Sequence, residues 1–185
     1  MDNTFIFTGR PGAGKGTQAK LLAKKLDAQF YSAGAELRAF AKQDTLPARQ
    51  VKEDIDNGLL VPYGMMVHIF YSILLKLSEE DTVVLDGFAR RLIEAQMMCR
   101  AFNWMHRPFT VINLEIPDEV VRERIKARSA KEDRGDEESV ENRLSEYEEH
   151  TAHSIEFFRE HGKVVDIDGT QTIEEIEKEV WEKIQ

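Results

Sequence analysis

Nine residues near the start of the chain, Gly9-Arg10-Pro11-Gly12-Ala13-Gly14-Lys15-Gly16-Thr17, combine closely spaced glycines with one lysine and a hydroxyl. Glycines let consecutive backbone N–H groups curl inward around an anion. A helix opening behind them adds its partial positive charge, and a lysine so placed reaches outer phosphate oxygens. The chemistry this suits is the gripping of a polyphosphate. The general form of such a loop puts Ser or Thr directly after the lysine, whereas here Gly16 intervenes before Thr17.

A loop of this kind works only between a strand and a helix, and the flanking pattern supplies both. Residues 4–8 are a β-branched and aromatic run ending at Gly9, and residues 16–26 carry Ala19, Leu22, Ala23 and Leu26 at helical spacing. Further apolar runs at 82–85, 109–116 and 163–167, with a weaker one at 29–32, alternate with longer helical stretches. That alternation predicts an α/β fold whose parallel sheet is covered by helices on both faces. Residues 34–60 turn polar and helical, closed by Gly58 and Pro62, and read as a small helical insertion. A charged stretch at 129–136 interrupts the pattern again. Residues 136–161 read as one long acidic helix and 172–184 as an amphipathic one.

The bulk composition narrows the partners. The chain has 185 residues, 42% of them hydrophobic, which fits one domain. A formal net charge of −9 argues against a general binder of nucleic acid or membrane surfaces, so positive charge for a phosphate must be local. Cys99, the sole cysteine, cannot form an internal disulfide, which suits a reducing compartment. No stretch has signal-peptide or membrane-span character, so a soluble, cytoplasmic, monomeric protein is expected. The five histidines lack metal spacing and are assigned to packing or surface, as are Met65, Met66, Met97 and Met98. Arg91 and Arg159 are read as solvated.

Gly-x-Pro-Gly-x-Gly-Lys-Gly-Thr-Gln, as it stands at 9–18, resembles the loop of the adenylate kinases and their nucleoside monophosphate kinase relatives. Five later blocks follow in the family's order: Tyr31-Ser32-Ala33-Gly34-Ala35-Glu36-Leu37-Arg38, Gly58-Leu59-Leu60-Val61-Pro62, and Asp86-Gly87-Phe88-Ala89-Arg90; then the arginines 124, 128, 134 and 143 with Asp136 and Glu137 between, and Ile167-Asp168-Gly169. The resemblance implies a P-loop NTPase fold with a core at 1–32, 63–128 and 137–185, a helical acceptor-binding insertion at about 33–62 and a short lid at about 129–136. It implies ATP and Mg²⁺ as cofactors and small-molecule nucleotides as partners.

Roles follow by the same resemblance. Gly12, Ala13, Gly14, Lys15, Gly16 and Thr17 would cradle ATP together with Arg124, Arg128 and Gln171. Arg38 and Arg90 would hold the acceptor phosphate beside Ala33, Leu60, Val61, Gly87 and Glu94. Arg124, Arg134 and Arg143 would close on the transferring group, and Asp86 with Thr17 would serve Mg²⁺ through water. The acceptor implied is AMP. UMP/CMP or GMP kinase activity on the same fold is the alternative, and an ATP-binding switch or assembly factor is the alternative from another class.

Three residues depart from the adenylate kinase pattern. Ala33 replaces a threonine, as in the pyrimidine kinases. Glu94 stands where the family places a Gln that reads the adenine edge, and by hydrogen bonding alone a carboxylate favours the adjacent donors of guanine or the single amine of cytosine. Ala89 replaces a proline that follows a cis peptide bond. Before alanine the cis form costs roughly 2.5–4 kcal/mol, so a trans bond is expected, with Gly87 absorbing the change.

Overall fold

Residues 2–132, 137–161 and 164–185 are described by the computed structural model of the chain, with side chains excepted at 126–132, 137 and 138. Strand β1 (Thr4–Gly9) has all six residues buried, the mark of a central strand covered on both faces. Around it lie β2 (Gln29–Ser32), β3 (Val83–Asp86), β4 (Thr110–Glu115) and β5 (Val164–Asp168), in the order β2-β3-β1-β4-β5. Every pairing is parallel, with Ile6 opposite Leu85 and Val111.

The strand alternation sorts the core into two layers. Ile6 and Leu85 point to one face, packed by α2 (Ala33–Phe40), α3 (Leu46–Asp56), α4 (Tyr63–Leu74), α5 (Leu92–Trp104) and Phe158 of α8 (Ala152–His161). Phe5, Phe7 and Ile112 point to the other, against α1 (Lys15–Leu26), α6 (Asp118–Glu132), α7 (Glu137–Glu146) and α9 (Ile173–Ile184). Each fully buried large apolar side chain contributes roughly 1.5–3 kcal/mol. Thr172 begins α9 in a capping box, its Oγ1 accepting from Glu175 N–H while the Glu175 carboxylate accepts from Thr172 N–H at 3.0 Å.

The expected strands are all present, displaced by a residue or two where the hydrogen-bond ladder rather than the apolar run sets the end. The insertion resolves into α2 and α3. The long acidic helix is instead α7 and α8 joined by a π-helical turn, Tyr147–Thr151. Helix α6 extends to Glu132, so residues 129–132 of the expected lid are helical, and residues 133–136, including Arg134 and Asp136, lie outside the described ones. Chain direction fixes where a ligand can sit. Strand β1 connects to one side of the sheet and its neighbour β3 to the other, and the crevice beyond the carboxyl ends of two such strands is where open α/β sheets bind ligands.

Candidate active site

The loop after β1 occupies that crevice. Gly14 is the N-cap of α1, so the helix's unpaired N–H groups face the loop. Lys15 folds back over it, Nζ donating to the carbonyls of Gly9 at 2.8 Å and Arg10 at 2.6 Å. Ala13 is wholly buried, its N–H donating to Arg10 O, so it braces the loop from the core side. Arg10 anchors the loop outward: it pairs with Asp118 and, at 3.0 Å, with Glu148, and lies 5.1 Å from the centre of the Tyr147 ring. Burial pushes the Tyr147 hydroxyl up, keeping it neutral.

Asp86, at the end of β3, meets the first turn of α1. A Cβ at position 16 would come 3.2 Å from its Oδ2, so any side chain there would crowd the carboxylate. Ser32 Oγ donates to the same carboxylate at 3.1 Å, and Thr17 stands exposed on the cavity wall beside it. No cluster of three or more His, Cys, Asp or Glu able to hold a metal occurs among the described residues. A single carboxylate beside a phosphate loop fits Mg²⁺, which keeps several waters and takes its other ligands from phosphates, and does not fit zinc.

One cavity of about 1020 Å³ joins this loop to the segments beyond it. Its lining includes Gly12, Gly14, Lys15, Gly16, Thr17 and Asp86 and, from the segments beyond, Ala33, Arg38, Leu60, Val61, Gly87, Arg90 and Glu94. Arg124 and Arg143 also border it; Arg124 Nη1 donates to Gly169 O at 2.8 Å, tying α6 to the turn after β5. The Arg90 guanidinium lies back over Gly87, where a Cβ would come 3.3 Å from Nη2; the φ of +73° there is likewise one glycine tolerates.

Several residues stand differently from the sequence reading. Gln171 is not among the cavity-lining residues, and its amide donates to Glu179 Oε2 at 2.7 Å and to Asp168 O. Arg128 lies on α6, its side chain outside the described ones. Arg91, read as solvated, is half-buried, bonding Leu60 O at 3.1 Å and the His150 ring at 3.2 Å, which couples the insertion to the π-helical turn. Glu94 is only 3% exposed; its Oε2 accepts from the N–H groups of Arg90 and Arg91, and burial pushes its carboxyl up. The bond before Ala89 is trans. Gly87 takes a positive φ as expected, but Ala89 does so too, at +54°.

Glu146, Tyr147 and Thr151 also reach the cavity, although nothing in their spacing singles them out. A π-helical turn adds one residue to a helical turn and so re-aims the side chains after it, a feature without a sequence period.

A five-stranded parallel sheet, a glycine loop feeding α1 and four arginines lining the same cavity as that loop define a P-loop NTPase fold. Residues 7–163 match the family model described as adenylate kinase. The chain is 37% identical over 177 residues to adenylate kinase 1 of Synechocystis sp., covering 95% of this chain and 94% of that one. It is 35% identical over 183 residues to the adenylate kinase of Leptospira biflexa, covering 97% and 98%. With the adenylate kinase of Methanosarcina barkeri it shares 32% over 205 aligned positions, covering 95% of each. The chain belongs to the adenylate kinase family, and it is an enzyme of the nucleoside monophosphate kinase type.

Proposed function

We infer that the chain transfers the γ-phosphoryl group of ATP to AMP and releases two ADP. The observation that carries this reading is that one cavity is lined by both the Lys15 loop and the arginines Arg38 and Arg90. A switch needs a grip on one nucleotide only, whereas a second arginine set across from the loop suits a second phosphate. Three relatives named adenylate kinase favour AMP over a pyrimidine or guanine acceptor.

In this scheme an oxygen of the AMP phosphate attacks the γ-phosphorus, the bond from that phosphorus to the β–γ bridging oxygen breaks, and ADP leaves with the electron pair. The acceptor is already an anion, so no general base is needed. The chain's work is alignment and neutralisation. Lys15 and the loop N–H groups hold the β- and γ-phosphates with Arg128 in support on the ATP side, Arg38 and Arg90 hold the acceptor phosphate, and Arg124, Arg134 and Arg143 close on the group in flight. Arginine suits this because its planar fork bonds two phosphate oxygens at once. Asp86 with Thr17 would hold Mg²⁺ through its water shell, and the ion would supply charge neutralisation for the phosphates. Cys99 is buried and free, in keeping with a cytoplasmic monomer, and no helix among the described residues is long and apolar enough to cross a membrane.

The test is an acceptor screen with ATP and Mg²⁺, following ADP release. AMP is expected to give the highest kcat/KM. A clear preference for UMP, CMP or GMP moves the protein to another kinase of the family, and ATP hydrolysis indifferent to every monophosphate moves it to a switch.

A further inference from the structure

The backbone that aims Arg90 is held in a conformation its sequence does not favour. Ala89 sits at φ +54° and is 2% exposed, with a Cβ that the left-handed region penalises and no solvent to relax into. Such a residue persists only where its surroundings over-determine it. On the far side of the turn, the N–H groups of Arg90 and Arg91 donate to Glu94 Oε2 at 3.0 and 3.3 Å. On the near side, Ser154 Oγ donates to the Ala89 carbonyl at 2.5 Å, across 65 residues of sequence.

Ser154 is 1% exposed on α8, just beyond the π-helical turn. A hydroxyl buried that deeply on a helix usually returns its proton to its own helix backbone or costs stability. This one reaches a loop carbonyl beside a cavity-lining arginine. Rotation of Ala89 out of the left-handed region would swing that carbonyl away from Ser154 and turn the Arg90 Cα–Cβ bond away from Gly87.

We propose that Ser154 is a positioning residue for acceptor binding: by fixing the Ala89 carbonyl it holds the left-handed turn from which Arg90 reaches over Gly87 into the cavity. The proposal rests on the reading that Arg90 grips the acceptor phosphate.

The experiment measures AMP and ATP dissociation constants by calorimetry, with melting temperatures, for Ser154→Ala, Ala89→Gly and their combination. Ser154→Ala should weaken AMP binding on the order of tenfold, the scale of losing one well-formed buried hydrogen bond, and leave ATP binding within about twofold. Adding Ala89→Gly should recover most of that loss, because glycine takes the left-handed conformation without help. A purely structural serine would not show this rescue. In an Arg90→Ala background, Ser154→Ala should weaken AMP binding no further. Normal AMP affinity in Ser154→Ala, an equal loss for both nucleotides, no recovery with glycine, or a further loss in the Arg90→Ala background overturns the proposal alone. Normal AMP affinity in Arg90→Ala by itself overturns the reading of Arg90, and the proposal with it.

Discussion

Lys15 donates to two carbonyls of its own loop, in the lining of the cavity, so its removal should be felt by phosphate more than by the fold. Lys15→Ala is expected to lower kcat/KM on the order of a thousandfold, the scale of losing one oriented cation at the developing charge, while the melting temperature stays within about 3 °C. Activity near that of the unaltered enzyme would remove the phosphate-loop assignment. Glu94 offers a test with a pH signature. Burial raises its pKa in the folded state, so the folded chain holds that proton more tightly than the unfolded one. The ionised carboxylate therefore costs stability at every pH above the raised value, and the cost fades as pH falls toward the unfolded value near about 4.3. Glu94→Gln removes the charge but keeps an oxygen able to accept from the Arg90 and Arg91 N–H groups. It should raise the melting temperature at pH 8 and give a shrinking gain toward pH 4.5. A gain that did not shrink would separate it from ionisation. The same change supplies an amide donor and should raise the use of AMP relative to other monophosphates; an unchanged ratio in the acceptor screen would confine residue 94 to holding the turn.

At the scale of elements, the end of the sheet away from the cavity is tied by Arg107. Its side chain, 8% exposed, bonds Thr4 Oγ1 at 2.7 Å, the carbonyls of Ser78 and Asn3 at 3.2 Å, and Asp81 O, joining the approaches to β1, β3 and β4. Replacement by Met would leave the Ser78 and Asp81 carbonyls without this donor, while Asn3 O keeps the Val83 N–H at 2.9 Å, and we expect a loss of about 3 kcal/mol, read as a fall of roughly 6–12 °C in melting temperature. KM for both nucleotides should hold, since the strand ends that bear the site are the opposite ones; a changed KM would mean the sheet transmits the defect. Elements of this kind divide what the sequence discloses from what it conceals. The strands, α1 and α9 were legible because burial on one or both faces writes a period into the residues, and the loop was legible because glycines and a lysine leave little else to do. Arg107 and Arg91 were not, since an arginine bonding distant carbonyls has the same neighbours in sequence as one in solvent. The π-helical turn has no period to read. Ala89 shows the third kind of concealment: alanine's own preference points away from a positive φ, and the bonds around it, from Ser154 to its carbonyl and from the next two N–H groups to Glu94, come from partners that no local pattern marks.

The whole molecule must reconcile a net charge of −9 with two anionic substrates that meet in one place. Among the described residues, the cavity lining carries seven Lys or Arg side chains against three Asp or Glu, so the positive charge that the composition lacks is gathered where the sheet opens. A concave site of one sign draws in counter-charged ligands from beyond contact distance, and the acidic remainder of the surface does the opposite everywhere else. Salt separates these two ranges. Raising ionic strength from about 0.01 to about 0.1 M shortens the screening length from about 30 Å to about 10 Å, which weakens long-range attraction but leaves arginine–phosphate contacts inside the cavity much less affected. KM for ATP and for AMP should therefore rise severalfold over that interval, with kcat changing by less than about twofold, as expected when capture rather than the bound arrangement is screened. Constant Mg²⁺ and a spectator salt such as potassium acetate keep metal loading out of the comparison. Flat KM values would mean that the acidic surface cancels the cavity's field before a nucleotide arrives, and an equal fall in kcat would place the sensitive charges in the closing step, on the arginines proposed to meet the phosphoryl group in flight.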